Sequence, residues 1–401
     1  MSRDKTILLF GLITYGMGQS LLYVIFGPLA RDIGLSEIQF GVLISASNVV
    51  LVFSAPRWGR ASESMGRKRV FVLGLVGFAV GYAALAFGIQ IGQWAWLATT
   101  PLFLLLLGAR LVYGVMAGGI QPAATAYMAD VTDEASRAQG MALIAVSGGI
   151  GTIIGPAFGG LLASLGAVVP MYVASGLALV AAMVAGSRLT EPPRHASLGG
   201  GPRLKPTDTR VFPYLLGWFV VFLVFTAVQV VTAFFIEDRF GVTEQAAVIR
   251  VASLALLSMA LVTVAVQAVV LQVWRIPPRV LLRVAFLLFG MDLLLLAFAE
   301  NLILLYLTYA GMGLTFGLAA PGLNAAASLS VEPGEQGAIA GLLAAAPTLG
   351  MVFGPALGGA VYKLAPNLPM LGGAIAAILL GIYFQFVRVP DPGSASEARL
   401  H

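Results

Sequence analysis

Residues 145–160 have the sequence AVSGGIGTIIGPAFGG, and residues 344–359 have the sequence AAAPTLGMVFGPALGG. The small residues and the proline recur at one constant spacing, pairing Gly151, Gly155, Pro156, Gly159 and Gly160 with Gly350, Gly354, Pro355, Gly358 and Gly359. The same spacing pairs Gly114 with Gly313, Gly118 with Gly317 and Pro122 with Pro321. Since one register is kept across two apolar segments, the pattern indicates an internal duplication.

The composition around this repeat excludes a soluble chain. Hydrophobic residues make up 59% of the 401 residues and charged residues only 10%, whereas soluble domains carry about 25% charge. Disordered chains are poorer in apolar residues and richer in charge. There is no cysteine, and His195 and His401 are the two histidines. We therefore expect neither a metal site nor an enzyme's nucleophile–base pair, and no cofactor.

Twelve apolar segments are long enough to cross a bilayer, which takes about 20 residues in a helix. They are predicted at 6–28, 38–57, 69–89, 98–122, 137–163, 168–188, 212–235, 245–271, 280–299, 302–328, 336–361 and 367–388. The loop 191–210, rich in Pro, Gly and charge, divides them six and six. We predict a bundle over 1–190, a cytoplasmic linker over 191–210, a second bundle over 211–390 and a tail over 391–401.

The basic residues predict the orientation. Most of the 23 Lys and Arg fall in loops that lie on one side, with Arg31, Arg239, Arg250 and Lys363 on the other and Arg110 within a span. Cytoplasmic loops are the basic ones, so both termini are predicted to be cytoplasmic. Because the basic residues lie in short loops between spans, the net charge of +5 does not indicate nucleic-acid binding.

A basic loop, GRASESMGRKR at 59–69, joins the second and third spans. Gly66 permits a tight turn. We expect Glu63 to bond helix amides or Arg137, and Arg67 and Lys68 to face the cytosol and lipid phosphates. The alternative is a cluster that only orients the chain.

The repeated glycines occupy one face of a helix, because Gly151, Gly155 and Gly159 are four residues apart. Such a face lets a neighbouring backbone approach closely, and Pro156 removes a helix hydrogen bond. Ordinary small-residue packing is the alternative.

An arginine stands inside the fourth span, in the pattern L-x-x-x-R-x-x-x-G from Leu106 through Arg110 to Gly114. An arginine at the bilayer centre costs about 2.5–3.5 kcal/mol on insertion scales. Its counterpart in the second half is Tyr309, so the duplicated fold does not require the charge. The alternative is a structural arginine bonded to backbone carbonyls.

Together these motifs resemble the major facilitator superfamily, in its drug/proton antiporter branch of tetracycline and multidrug efflux proteins. Gly59, Gly66, Arg67 and Lys68 match the family loop G-x-x-x-D-R-x-G-R-K, while Glu63 replaces its Asp and Ser64 its Arg. The glycine motif matches the antiporter pattern G-x-x-x-G-P-x-x-G-G. The resemblance implies an all-α membrane protein of 12 transmembrane helices in two pseudo-symmetric six-helix bundles. It also implies that Asp130 and Arg137 belong to the gating loop, with a solvated loop pair as the alternative.

Within that fold we expect a central pathway for substrate and protons. Its candidate residues are Gln19, Tyr23, Asn48, Arg110, Tyr113, Gln121, Gln229, Arg250, Asp292, Tyr309 and Asn324. The resemblance links Arg110 to proton coupling or substrate contact. Asp292 is either a proton carrier or a structural partner, and Arg250 either snorkels or meets Glu237 and Asp238 in an outer gate. The first span holds no acid, so we expect a neutral, zwitterionic or anionic substrate.

The expected function is proton-coupled efflux of small amphiphilic molecules (multidrug resistance) by alternating access, from a monomer in a bacterial inner membrane. The proton gradient is its driving force, and the lipid bilayer and the small-molecule substrate are its partners. The alternative is a dedicated exporter or importer of one metabolite, such as a sugar, amino acid, organic acid or siderophore. A sensor or lipid-handling scaffold is a further alternative that predicts no solute flux.

Overall fold

The computed structural model describes residues 3–133, 136–192, 204–269, 276–387 and 389, with the backbone alone at 137, 138 and 333. The described residues form helices and no strand. Thirteen α-helices follow one another: α1 Arg3–Asp32, α2 Glu37–Met65, α3 Arg67–Gln93, α4 Thr99–Ala117, α5 Ile120–Asp130, α6 Arg137–Leu162, α7 Val169–Arg188, α8 Phe212–Phe240, α9 Gln245–Val269, α10 Pro278–Ala297, α11 Leu302–Leu329, α12 Gln336–Tyr362 and α13 Leu368–Phe386.

Twelve spans of these described helices are long and apolar enough to cross a membrane, with α4 and α5 together making the fourth. The predicted all-α fold with twelve membrane helices is confirmed. Gly118 and Gly119 separate α4 from α5. The helices exceed several predicted spans, because a helix continues past the hydrocarbon layer where polar residues can be solvated.

Local sequence signals mark the starts of two helices. Ser36 begins α2 in a capping box, in which the amide of Gln39 donates to the Ser36 hydroxyl and the amide of Ser36 donates to the Gln39 side chain. Asn301 caps α11 by accepting from the amide of Leu304 at 2.9 Å. These caps satisfy amides that a helix start leaves unpaired.

The contacts group the chain into two units. The first comprises Met1–Ser197 with Thr232–Leu254, and the second comprises Leu198–Val231 with Ala255–His401. The end of α8 and the start of α9 therefore belong to the first unit. The predicted linker 191–210 is only partly described, and the predicted tail 391–401 lies outside the described residues.

In the first unit α1 packs chiefly against α6 and α7, α2 against α4, and α3 against α4 and α7. In the second unit α10 packs against α11 and α13. Its core includes stacked rings, with the centroids of Phe286 and Phe384 5.1 Å apart. Arg283 of α10 donates to the carbonyl of Gln385 at 3.0 Å, which ties α10 to the last turn of α13.

Candidate functional site

The repeated glycines line the contact between α1 and α6, which we call the glycine seam. A Cβ atom added at Gly151 would lie 2.5 Å from the Ile13 carbonyl oxygen, and one at Gly155 would collide with the Ser20 hydroxyl. At Gly159 it would lie 2.9 Å from a methyl group of Leu21. The backbones of α1 and α6 therefore lie in close contact, as the glycine face of α6 predicts.

The second unit contains the same seam between α8 and α12. A Cβ atom at Gly350 would lie 2.6 Å from the Leu223 amide, and one at Gly354 would collide with the Thr226 hydroxyl. The hydroxyl of Thr226 donates to the Gly350 carbonyl at 3.4 Å, as that of Ser20 donates to the Gly151 carbonyl at 3.5 Å. Gly358 meets the backbone of Ala227. The duplicated sequence thus builds one contact twice.

A second contact also repeats. The Ser54 hydroxyl of α2 donates to the Gly114 carbonyl of α4 at 2.9 Å in the first unit. In the second unit the Thr263 hydroxyl of α9 donates to the Gly313 carbonyl of α11 at 3.1 Å. Glycine again brings the backbone carbonyl within reach of a neighbouring helix.

Arg110 lies in the first unit with only 2% of its surface exposed. Its Nη2 donates to the Ser47 hydroxyl at 2.6 Å, and its guanidinium carbon lies 4.4 Å from the centre of the Tyr113 ring. Among the described residues, Nε and Nη1 have no hydrogen-bond partner. The predicted alternative, an arginine held by backbone carbonyls, therefore does not match its contacts. A buried guanidinium with free donors is costly unless an acceptor meets it.

Aromatic rings surround this arginine. Phe78 stacks on Tyr82 at a centroid distance of 4.6 Å and meets Tyr15 edge-on at 5.5 Å. Tyr82 and Tyr113 are fully buried. The rings provide an apolar wall, and the tyrosine hydroxyls provide polar points along it.

Three other predicted residues of the first unit lie near this wall. The Gln19 amide donates to the Tyr15 hydroxyl at 2.9 Å, and Tyr23 hydrogen-bonds Asn48. The side chains of these three residues and of Tyr15 are half-buried. The predicted residues that form one cluster on α1, α2 and α4 are therefore Arg110, Tyr113, Gln19, Tyr23 and Asn48.

The remaining predicted pathway residues have varied surroundings. Gln121 and Arg250 are exposed, while Gln229 and Tyr309 are buried in the second unit. Asn324 is exposed and accepts from the Trp218 ring nitrogen at 3.2 Å.

Asp292 of α10 lies against α11, where a Cβ atom at Gly311 would collide with its Oδ1. Its Oδ2 is buried and has no partner among the described residues. The neighbouring Met291 and Leu295 are exposed, as expected of side chains that face lipid. Asp292 therefore occupies an apolar contact between two helices, without a cation in the described part of the chain.

The gating loop is held by acids from two other segments. Arg67 pairs with Asp130 at 3.1 Å and donates to the Ser62 hydroxyl at 2.6 Å. The Glu191 carboxylate accepts from the backbone amides of Arg67 at 2.5 Å and Lys68 at 3.4 Å. Gly66 has a φ of 103°, a backbone conformation that favours glycine. Its lack of a side chain also leaves room for the Glu191 carboxylate. Gly59 lies beside Pro122.

The described residues of this loop differ from what the sequence predicts at two places. Glu63 is exposed, and Glu191 instead accepts from the amides at the start of α3. The Arg67 side chain is only 13% exposed and pairs with Asp130 rather than facing solvent or lipid, while Lys68 is half-buried. The side chain of Arg137 lies outside the described residues, so its pairing with Glu63 stays a prediction. The sequence favours the acid nearer along the chain, whereas the fold brings a distant one to the helix start.

A group of charged residues that the sequence did not reveal lies around the last turn of α1. Arg31 forms ion pairs with Glu37 at 2.9 Å, Glu237 at 2.9 Å and Asp238 at 2.7 Å. One of the two alternatives for Arg250 pairs it with Glu237 and Asp238, but Arg31 binds both acids and Arg250 is exposed. The sequence could have indicated this group, because Arg31 is one of the few basic residues on the predicted outer side.

Two charged groups flank membrane spans. Arg210, just before α8, donates to Asp208 at 2.8 Å and to Glu335 at 3.0 Å. These hydrogen bonds hold the pKa of each carboxyl below its usual range. Asp133, before α6, accepts from the amide and hydroxyl of Ser136, which also lowers its pKa.

The chain matches the family model described as Major Facilitator Superfamily over residues 8–272 and 251–400. It is 27% identical over 401 residues to "Multidrug resistance protein 2" of Bacillus subtilis, with 95% of each chain covered. It is 30% identical over 369 residues to "Tetracycline resistance protein, class G" of Vibrio anguillarum, with 87% of each covered.

Among solved structures, the fold is similar to a bacterial homolog of the human lysosomal transporter Spinster in its inward-facing and occupied conformation. The TM-score is 0.75 at 15% identity, with 95% of each chain covered. That likeness concerns the fold. The family match spans nearly the whole chain and agrees with the twelve spans and the duplicated seam. The chain belongs to the Major Facilitator Superfamily and is a multi-pass membrane transporter of small molecules.

Proposed function

We propose that this transporter exports small, partly apolar molecules from the bacterial cytoplasm in exchange for protons. In this proposal it works as a monomer in the inner membrane, with both termini cytoplasmic and no cofactor besides the proton gradient. The names of the multidrug and tetracycline resistance relatives support export. The basic loops support the orientation.

The observation that carries the proposal is the Arg110 cluster. Its guanidinium is buried and has two nitrogens without a partner among the described residues. A substrate oxygen with full or partial negative charge would accept from them in charge-assisted hydrogen bonds. The rings of Phe78, Tyr82 and Tyr113 would bury the apolar part. We therefore expect substrates that combine an aromatic or apolar body with an anionic or carbonyl oxygen.

We assign the proton to Asp292. Asp130 is paired with Arg67 and Glu63 is exposed, whereas Asp292 is an acid inside a span with a buried oxygen that lacks a described partner. Such an acid is costly when charged and inexpensive when neutral. A proton taken up from outside would remove the charge and shift the balance between the two faces.

The test is transport in proteoliposomes with the cytoplasmic face outward and an acidic lumen. We expect tetracycline to accumulate and a protonophore to abolish the accumulation. Arg110→Gln should lower the initial rate about 10- to 100-fold, the effect of losing hydrogen bonds to a charged group. Asp292→Asn should remove the pH dependence but leave tetracycline exchange in the absence of a gradient.

Substrate competition separates the proposal from its alternatives. We expect 2-naphthoate and 2-naphthamide to compete with tetracycline, the former more strongly, and 2-naphthylmethylammonium not to compete. Strict selectivity for one organic acid would favour a dedicated exporter, an alternative that the free Arg110 donors also support. Efficient transport of a lipophilic dication would contradict the site, and no flux of any solute would favour a sensor or scaffold.

A further inference from the structure

The Arg31 group joins two distant parts of the first unit. Arg31 lies in the last turn of α1, Glu37 begins α2, and Glu237 and Asp238 lie in the last turn of α8. One guanidinium thus bonds acids from two other helices. The side chains of Arg31 and Glu237 are only 33% and 14% exposed, so solvent only partly screens these bonds.

Apolar packing continues the contact beneath the charges. The Arg31 guanidinium lies 4.8 Å from the centre of the Phe234 ring. Phe234 is fully buried and meets Phe40 edge-on at 5.9 Å. A Cβ atom at Gly27 would lie 2.7 Å from that of Ala233. Residues 232–240 of α8 therefore pack tightly on α1 and α2.

The start of α9 is also held in this unit. Ser253 is only 3% exposed, and a Cβ atom added at Gly160 of α6 would lie 2.9 Å from the Ser253 Cβ. Both parts of segment 232–254 are thus covered by helices from the amino-terminal part of the chain.

Acidic residues outnumber basic residues where the ends of α1 and α8 meet the starts of α2 and α9. Arg31 is one cation bonded to three carboxylates, with Asp32 as a further acid one residue along. The other charged groups in the same helix ends are Arg239, Glu244 and Arg250. Without Arg31, the carboxylates of Glu37, Glu237 and Asp238 would repel one another across the contact.

We propose that Arg31 is an ionic latch that keeps segment 232–254 closed against α1, α2 and α6, and that losing its ion pairs opens this end of the transporter. The latch does not depend on which substrate or coupling ion the protein uses. It concerns the equilibrium between the closed and open arrangements of this end.

Because the chain contains no cysteine, a single introduced thiol can be labelled without background. Ser253→Cys places a near-isosteric thiol in the covered contact, and its rate of reaction with a membrane-impermeant maleimide measures opening. Right-side-out and inverted vesicles are labelled in parallel, so that the reagent reaches this face in one of them. Thr243→Cys, at an exposed site in the α8–α9 loop, identifies the correct vesicles and should react rapidly throughout.

With Arg31 present we expect slow labelling of the thiol introduced by Ser253→Cys. Arg31→Gln should raise the rate at least about fivefold, in keeping with the loss of several partly buried charge-assisted bonds. Arg31→Lys should give an intermediate rate, because lysine keeps the positive charge but lacks the planar guanidinium that bonds several carboxylates at once. Asp32→Asn is the control for a lost charge at this contact. Asp32 accepts from Gln93 and repels Glu237, so its neutralisation should not raise the rate.

Equal labelling rates for the parent and the folded Arg31→Gln variant would overturn the latch, as would an equal rise in Asp32→Asn. If Arg31→Gln does not fold, the double variant Glu237→Gln/Asp238→Asn decides, because it removes the α8 partners and leaves Arg31 in place. A rise in that variant supports the proposal and no rise rejects it. Since labelling needs no transport, the result is independent of the proposed export function.

Discussion

The Glu191 carboxylate lies against the first backbone amide of α3, with Oε1 2.5 Å from the Arg67 nitrogen. An acid at a helix start satisfies unpaired amides and faces the positive end of the helix dipole. Nearby, the Tyr127 hydroxyl donates to the Thr190 carbonyl at 2.7 Å, which holds the chain that delivers Glu191. The segment after α7 thus supports the start of α3.

We predict that Glu191→Gln lowers stability and transport, whereas Glu63→Gln changes neither. The first variant weakens a charged cap worth about 0.5–2 kcal/mol, and the second alters an exposed side chain. Thermal unfolding in detergent and tetracycline flux in proteoliposomes measure the two effects. The opposite order would instead identify Glu63 as the acid that bonds the helix amides.

The glycine seam predicts a contrast within one helix. Gly155→Ala should destabilise the protein by about 1–3 kcal/mol, because the new methyl group overpacks the α1 contact. Gly149→Ala on the same helix meets nothing within 4 Å and should be neutral or slightly stabilising. Gly354→Ala, in the second seam, should resemble Gly155→Ala. Equal unfolding temperatures for all three variants would contradict the seam.

Arg110 predicts a contrast along α2. Ser47→Ala removes the hydrogen bond to the Arg110 guanidinium and should cost about 1.5–3 kcal/mol, the range for bonds to charged groups. Ser54→Ala removes a bond to a backbone carbonyl and should cost about 0.5–1.5 kcal/mol. Unfolding and tetracycline-binding measurements on both variants test this order. Under the proposed export function, Ser47→Ala should also weaken tetracycline binding, because Arg110 loses the contact that orients it.

The Arg210 group predicts a pH effect outside the membrane. The folded pKa values of Asp208 and Glu335 lie below the usual 3.8 and 4.5. Their ion pairs therefore contribute stability above those usual values and lose it as the pH falls through the lower folded values. Both acids are solvent-accessible, so the contribution is small.

Carbon-13 NMR of labelled carboxyl groups measures these titrations. Arg210→Gln should raise the midpoint of Glu335, assigned by its absence in Glu335→Gln, towards its usual value, while the hydrogen bond from the Glu332 amide still lowers it. Asp133, whose pKa is lowered by Ser136, should titrate unchanged and is the internal control. A Glu335 midpoint that is the same with and without Arg210 would show that the pair is not formed.

The helices themselves could be predicted well because membrane spans need long apolar segments. Their ends could not, since α2 runs to Met65 rather than residue 57 and α5 to Asp130 rather than residue 122. Apolar length indicates where a helix is in lipid, whereas helix ends depend on caps and tertiary contacts.

The site was predictable in part for a similar reason. Arg110 and the repeated glycines are conspicuous because a buried charge and a missing side chain are unusual in a span. The partners of charged loop residues are not conspicuous, since an acid at position 63 and one at position 191 look equally suitable for the same helix start. Only the folded chain distinguishes them, and Arg31 with Glu237 is a second example.

The glycine seam also limits how this protein can adapt. Because the backbones of α1 and α6 touch where side chains would be, any larger residue at Gly151 or Gly155 pushes the helices apart, so these positions have almost no room for variation. The half-buried side chains of Tyr15, Gln19 and Asn48 near Arg110 have such room. A lineage selected on a new substrate should therefore accumulate its changes at these three positions and keep both seams unchanged.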